Sequence, residues 1–479
     1  MRLDRLLGGV DVLETVGDPS RVDVRAITHD SRLVGPGALF CCVPGGALDG
    51  HDFAAGAVAA GAAALLCEQR LPVDAVQVRV GAVRPAMALV AAALFGHPSE
   101  RLSVVGVTGT NGKTTVTHML KAVLDAVGVG ADVLGTLSGS RTTPESTDLQ
   151  RILAEMEGRG VRAVAMEVSS HALAQHRVDA VSFSAAVFTN LSHEHLDFHG
   201  SMDSYFAAKS ELFRPERAAR AVINASDPWG RRLAESIAAA GAPPLQLFSD
   251  SDAEDVCVGL RAVDFSWRGR AVHVPLGGRV NVSNALAAAT TAASLGVEEA
   301  AVVAGLAATP PVPGRMEVVD AGQPFTVIVD YAHTPDGLER VLEAARPPGA
   351  PHRVAVVFGC GGQRDRGKRP LMGAVAAGRA DLAVLTNDNP RDEDPAAIIE
   401  EVRAGVRNPE RLVVEPDREA AIALALDWAG PGDVVVVAGK GHETGQQIGA
   451  SVRPFDDREV ARRLLERAAG RSAGCGAGR

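Results

Sequence analysis

Five short runs rich in β-branched residues follow one another between Phe325 and Glu443: "FTVIVDYAH", "HRVAVVFGCGG", "LAVLTNDNPR", "RLVVEPD" and "DVVVVAGKGHE". Each leads into a segment with helical spacing. Alternation this regular has few structural solutions, because parallel strands must be joined by crossovers. It predicts a parallel sheet covered by helices on both faces. In such sheets ligands bind beyond the carboxyl ends of the strands. Those ends carry Asp330 and His333, the turn from Gly359 to Arg364, then Asp388 to Arg391, and Gly439 to Glu443, so four polar clusters are expected on one rim. One of them holds a single guanidinium, Arg391, among Asp388, Asp392, Glu393 and Asp394.

A second strand–helix unit begins near Ser99. The run "LSVVGV" is followed by "GTNGKTT", and then by "TVTHMLKAVLDAVG", in which Val116, Met119, Leu120, Val123 and Val127 recur at helical spacing. A glycine loop opening a helix folds its backbone N–H groups around phosphate oxygens, and its lysine reaches the outer phosphates. Gly109, Thr110, Asn111, Gly112, Lys113, Thr114 and Thr115 are therefore predicted to hold a nucleotide triphosphate, with the Thr114 hydroxyl on Mg²⁺. The first glycine stands at Gly106 rather than at position 107, which places the loop outside the commonest spacing. No guanine-reading motif accompanies it, so ATP is favoured over GTP.

At about 150 residues per domain, 479 residues imply three domains. The expected boundaries are 1–100, 101–312 and 313–479, with "TPPVPG" from Thr309 to Gly314 as a linker. A net charge of −10 argues against a nucleic-acid binder with a broad basic surface, so an anionic ligand must be met by local cations. Six scattered cysteines without a CxxC pair fit a reducing compartment. The amino terminus lacks a signal-peptide core. The alanine-rich stretch from Gly56 to Cys67 is too short to span a bilayer and reads as a packed helix. The expectation is a cytoplasmic chain with no membrane or nucleic-acid partner.

Further chemistry lies between the two units. In "AMEVSSHALAQHR", Glu167 ends a strand where a carboxylate can reach a metal held by the phosphate loop. "FTNLSHEHLDFHG" places His193, His195 and His199 within seven positions, at i, i+2 and i+6, which fits neither common zinc spacing. Mg²⁺ with ATP is the better reading, although hard Mg²⁺ prefers oxygen to imidazole.

Taken in order, "GTNGKTT", "MEVSSHALAQHR", "FTNLSHEHLDFHG", "NVSN", "GRMEV", "DYAHTPD", "FGCGGQRDRGKRP", "DNPR" and "GKGHE" resemble the Mur ligase family, in its diaminopimelate-adding branch. The likeness runs almost the whole length and includes the amino-terminal "THDSR", "PGALF" and "DGHDF". It implies three α/β domains: an N-terminal UDP-binding domain, a central P-loop ATPase with a parallel sheet, and a C-terminal Rossmann-like domain. It implies an ATP-dependent amide ligase that adds diaminopimelate, with the meso isomer expected, to UDP-N-acetylmuramoyl-L-alanyl-D-glutamate through an acyl phosphate. The step serves peptidoglycan precursor synthesis, and a monomer is expected.

Position by position, the resemblance implies ATP contacts at Asn284, Arg315 and Asp330 besides the phosphate loop. It implies a catalytic set of Lys113, Glu167, His195 and Lys209, and Mg²⁺ positions at Thr114, Glu167 and His195. Lys209 matches a lysine carbamylated by CO₂, which turns an ammonium into an anionic metal ligand. For the nucleotide-sugar peptide the matching positions are His29, Ser31, Gly46, Ala47, Leu48, Thr142, Thr143, Ser169, Gln175 and Arg177. For diaminopimelate they are Arg364, Asp388, Asn389, Pro390, Arg391, Gly439 and Glu443. Diaminopimelate differs from lysine by a distal carboxylate, which a planar guanidinium grips with two charge-assisted hydrogen bonds. In lysine-adding relatives "DNPR" is replaced, so Arg391 is the implied specificity signal.

The alternatives are a lysine-adding synthetase, against which "DNPR" speaks, and a folylpolyglutamate synthase-like ligase, against which the first hundred residues speak. A P-loop switch whose output is binding, and a silent scaffold, are the readings from outside ligase chemistry.

Overall fold

The computed structural model describes residues 1–46, 48–139, 141–346 and 351–476. Ala47, an expected sugar-peptide contact, lies outside the described residues. Three α/β domains each surround their own sheet. The first sheet has five strands in the order Val12–Val16, Val76–Val80, Ala62–Cys67, Ala38–Cys41 and Ala26–Thr28, parallel except for the Val12–Val16 edge. The alanine-rich stretch, whose alanines read as a packed helix and whose end "AALLCE" reads as a strand, divides here. Ala54–Ala59 is helical, Gly61 turns at φ +102°, and Ala62–Cys67 is a strand. Burial between two parallel neighbours outweighs alanine's helix propensity there.

The second sheet is parallel throughout, in the order Leu245–Phe248, Ala221–Asn224, Ala185–Phe188, Ser103–Thr108, Ala163–Glu167 and Ala131–Leu134. A small antiparallel sheet, Glu254–Val258, Val263–Trp267 and Arg270–Val274, packs beside it. Gly106 belongs to the strand rather than to the phosphate loop, because an added Cβ would sit 2.8 Å from the Phe183 ring. The displaced first glycine of the loop is thus a packing requirement.

The third sheet runs Glu317–Val319, Thr326–Asp330, Val434–Ala438, Val354–Phe358, Leu382–Leu385 and Leu412–Val414. Only the Glu317–Val319 edge is antiparallel. The strand Val354–Phe358 is buried along its whole length and alternates between two cores. Val354, Val356 and Phe358 face one cluster with Leu338, Met372 and Ile398, while Ala355 and Val357 face another with Ile422 and Ala461. That is the period-two pattern of a strand covered on both faces, and it explains the continuous β-branched runs. The proline-rich segment from Thr309 to Gly314 carries no helix or strand, yet Thr309 and Val312 are buried. No helix among the described residues is long and apolar enough to cross a membrane.

Candidate active site

The carboxyl ends of the second and third sheets face one another across a cleft of about 990 Å³. The phosphate loop forms one wall. Lys113 Nζ donates to the carbonyls of Gly109 and Thr110, both at 2.9 Å. Gly112 holds φ +88°, and a Cβ there would lie 2.5 Å from Asn284 Oδ1, so the turn and its close neighbour both require glycine. The 14-residue helix Lys113–Ala126 starts at the loop and adds positive potential. Thr114 Oγ1 donates to Glu167 Oε2 at 3.0 Å, and Glu167 Oε1 accepts from the Thr136 amide at 2.8 Å. The expected hydroxyl–carboxylate pair is therefore assembled.

Arg315 reaches the same place from the third domain, donating to Thr114 Oγ1 at 3.2 Å and lying over the Tyr331 ring. Asp330 supports it, accepting from the amides of Met316 and Ala332 at 2.7 and 2.8 Å. Burial raises the Asp330 carboxyl above its usual range, against the pull of Arg315. Further bonds cross this boundary: Asn111 Nδ2 and Ser192 Oγ donate to Asp336 Oδ2 at 2.9 and 3.3 Å, and His333 Nε2 lies 3.2 Å from Glu194 Oε1.

Lys209 is 1% exposed, with Nζ 2.9 Å from the Gly109 carbonyl and over the Tyr205 ring. Burial, reinforced by Lys113, holds its ammonium well below the usual lysine range. Burial also pushes His195 and His199 down to about 4, and His195 meets His171 edge-on with ring centres 4.8 Å apart. Burial opposes ionisation of Glu194, but the His333 hydrogen bond and the nearby His195 keep its carboxyl well below the usual range. His195 lines the cleft with Thr114 and Glu167. Among the described residues no hydrogen bond or ion pair joins it to either.

The third-domain rim is as the alternation predicts. Arg364, Asp388, Asn389, Arg391, Gly439 and Glu443 all line the cleft. Arg391 is left-handed at φ +53°, and its chain is clasped by the hairpin of Gly445–Ile448 and Ser451–Pro454. The Arg391 amide donates to Gln447 O at 3.2 Å, and its carbonyl accepts from Gly449 N at 2.7 Å. Burial lowers the Arg391 guanidinium from its ordinary value, as does Arg364 nearby. Asn389 links Glu443, at 2.9 Å, to Lys440, whose Nζ lies 3.1 Å from Asn389 Oδ1. Pro390 does not line the cleft; its carbonyl closes the turn by accepting from Glu393 N at 3.1 Å.

The expected sugar-peptide residues divide. Thr142, Thr143, Ser169 and Arg177 line the cleft. His29, Ser31, Gly46, Leu48 and Gln175 do not, and Leu48 is 70% exposed. His29 instead touches Thr147, Nδ1 to Oγ1 at 3.4 Å, at the start of the helix Ser146–Gly158. Arg177 is already committed within the protein, donating to Thr143 O at 3.0 Å and Gln175 Oε1 at 2.6 Å. Beneath it is Glu145, a buried carboxylate that sequence reasoning missed. It pairs with Arg84, Arg141 and Arg177, each at 3.0 Å. Its only signal was its place beside "RTTP". Asp336, too, was an unremarked member of "DYAHTPD".

The geometry agrees with what known proteins show. The Mur ligase family, catalytic domain matches residues 23–116, the Mur ligase middle domain residues 107–292, and the Mur ligase, glutamate ligase domain residues 314–441. A protein of Solibacter usitatus (strain Ellin6076), named UDP-N-acetylmuramoyl-L-alanyl-D-glutamate--2,6-diaminopimelate ligase, is 44% identical, covering 97% of this chain and 98% of its own. A solved structure of a protein with that same name is 31% identical, with a TM-score of 0.68, covering 98% of this chain and 99% of its own. The MurF ligase of Thermotoga maritima in complex with ADP shares the fold at 21% identity, with a TM-score of 0.63 over 94% of this chain and 99% of its own. Near-complete coverage at this identity, on a cleft built as described, means that the chain belongs to the Mur ligase family.

Proposed function

We propose that the chain is an ATP-dependent ligase that joins diaminopimelate to the D-glutamate side-chain carboxylate of UDP-N-acetylmuramoyl-L-alanyl-D-glutamate, in peptidoglycan precursor synthesis. One observation carries this reading: Arg391 lines the same cleft as the phosphate loop, at the far wall from Lys113 and Thr114. A triphosphate on the loop and an amino acid with a distal carboxylate can then approach a common carboxylate between them.

In this reaction the γ-phosphoryl group of ATP passes to a carboxylate oxygen, giving an acyl phosphate and ADP. The substrate amine attacks the carbonyl carbon, and the tetrahedral intermediate expels inorganic phosphate as the nitrogen sheds a proton. Such a sequence needs fixed cations and positioning more than a protein nucleophile. Lys113 and the backbone of Gly109 to Thr115 hold the phosphates, and Asn284, Arg315 and Asp330 complete the nucleotide site. Thr142, Thr143, Ser169 and Arg177 hold the acceptor peptide, with His29, Ser31 and Gly46 to Leu48 at its nucleotide end and Gln175 supporting Arg177. Arg364 and Arg391 take the carboxylates of the amino acid. Glu443 and the Gly439 carbonyl take its distal ammonium, and Asp388, Asn389 and Pro390 shape the loop.

The donor set fits Mg²⁺. Thr114 and Glu167 offer two oxygens 3.0 Å apart, and hard Mg²⁺ pairs one or two carboxylates with substrate phosphates. Thr114 and Glu167, with His195 as a further ligand, would hold the ion, which would supply neutralisation of phosphate charge. Lys209 fits a carbamate: burial disfavours its ammonium, and addition of CO₂ with release of a proton would give an anion able to hold a second ion. The same reading places domains at 1–100, 101–312 and 313–479, and makes the protein a cytoplasmic monomer.

The test is an ATP-dependent ligation assay with the nucleotide-sugar dipeptide, offering meso-diaminopimelate, LL-diaminopimelate and L-lysine side by side. The expected result is coupling of diaminopimelate with stoichiometric phosphate release. Equal coupling of L-lysine overturns the reading, and ATP hydrolysis indifferent to both substrates favours a nucleotide switch.

A further inference from the structure

Behind the Arg391 rim lies a cation that no substrate can touch. Arg369 is 0% exposed, on the first turn of the helix Lys368–Arg379. Its Nη1 donates to Glu401 Oε2 at 2.7 Å, and its Nη2 lies 2.9 Å from Glu393 Oε2 and 3.2 Å from the Gly361 carbonyl. Glu393 also accepts from the Gln363 amide. One buried guanidinium thus ties the turn Gly361–Gln363 to the turn Arg391–Glu393.

That first turn is where the Arg391 side chain rests. Arg391 Nη1 donates to Gly362 O at 2.7 Å, with Asn389 O at 3.5 Å as its other acceptor. Among the described residues no group accepts from Nε or Nη2, so the Nε–Nη2 edge is the one left for a two-pronged bond to a carboxylate. The fit is close. A Cβ on Gly361 would stand 2.9 Å from Arg391 Nη1, and one on Gly362 would stand 1.9 Å from Pro390 O.

We propose that Gly361 and Arg369 determine amino-acid specificity: Arg369 is a positioning residue that fixes the Gly361–Gly362 turn, and this turn sets how far the Arg391 guanidinium reaches toward the distal carboxylate. The inference rests on the ligase reading above. A two-pronged bond tolerates little displacement, so a shift of the seat degrades recognition of the distal carboxylate while leaving the nucleotide and acceptor sites alone.

The experiment compares kcat/KM for meso-diaminopimelate and for L-lysine in the full-length chain and in Gly361→Ala, Arg369→Met and Arg369→Lys. KM for ATP and for the nucleotide-sugar dipeptide, and Tm, are followed in parallel. In Gly361→Ala the methyl group crowds the far end of the flexible Arg391 side chain, with Asn389 O and Arg364 Cγ at ordinary contact distances of 3.7 and 3.9 Å, so the variant folds with the guanidinium displaced. Its kcat/KM for diaminopimelate is expected to fall about 10- to 100-fold, and the diaminopimelate-to-lysine ratio by the same factor, with the other two KM values unchanged. Arg369→Met is expected to behave alike, and Arg369→Lys, which keeps the charge but not the fork, to lie between. A Gly361→Ala enzyme that folds and keeps the wild-type ratio overturns the inference, as does one impaired equally toward all three substrates. Should Arg369→Met fail to fold, Gly361→Ala alone decides. A wild-type enzyme with no preference for diaminopimelate overturns the parent reading instead.

Discussion

The Nζ of Lys209 lies 2.9 Å from the carbonyl oxygen of Gly109, a residue one hundred positions earlier that opens the phosphate loop. A helix of the second domain thereby delivers a buried amine to the loop's backbone. Burial, reinforced by Lys113, disfavours the ammonium and so favours the neutral amine that a reaction with CO₂ requires. Protein freed of CO₂ should lose ligase activity and recover it on adding bicarbonate. Lys209→Ala should lose about 10²- to 10³-fold in kcat without such recovery. Activity of wild-type protein that ignores bicarbonate would count against the carbamate.

Thr114 and Glu167 meet at 3.0 Å beside that loop. Glu167→Gln keeps the size and removes the charge, so the Mg²⁺ concentration for half-maximal activity should rise and kcat fall about 10²- to 10³-fold. A magnesium titration of both proteins checks this.

Arg391→Ala should reduce kcat/KM for diaminopimelate about 10³- to 10⁴-fold, because the distal carboxylate is left without its planar partner. Arg391→Lys should recover little of the loss, since an ammonium cannot make the parallel pair of bonds. KM for ATP should stay put in both, as steady-state kinetics would show.

Glu145, itself buried, pairs with the buried Arg177 and with the more exposed Arg84 and Arg141, beside Thr143. Glu145→Ala should leave three like charges together, lower the Tm and raise KM for the nucleotide-sugar dipeptide about tenfold. The ATP KM should not change. Differential scanning calorimetry and initial rates would read the two effects.

Far from the cleft, Asp433 accepts from Arg353 Nη2 at 2.5 Å, and also from the amides of Arg353 and Gly430, and Arg353 chiefly lowers its carboxyl from 3.8 to about 2. A depressed carboxylate contributes stability above its unfolded value and loses it as pH falls from about 4 toward 2. Asp433→Asn should be less stable at neutral pH, and the gap should close across that window in unfolding titrations.

The sheets were largely legible because a strand buried on both faces must be apolar throughout, as in Val434–Ala438. The phosphate loop and the Arg391 rim were legible because loop position follows from strand order. Less was visible at Gly56–Cys67, where alanine's helix propensity pointed one way and burial between neighbouring strands chose the other at Ala62–Cys67. Of the sugar-peptide set, Thr143 and Arg177 line the cleft, while His29 and Ser31 do not.

Sequence alone determined the order of strands and helices and the residue types at their ends, since periodicity and glycine placement are local properties. Tertiary structure decided which charges lost their water and found partners. It buried Lys209 against Gly109, committed Arg177 to Thr143, and set Arg369 under the turn that carries Arg391. Those outcomes depend on contacts between residues far apart in the chain, where burial and pairing, not spacing, set the free energy of a charge.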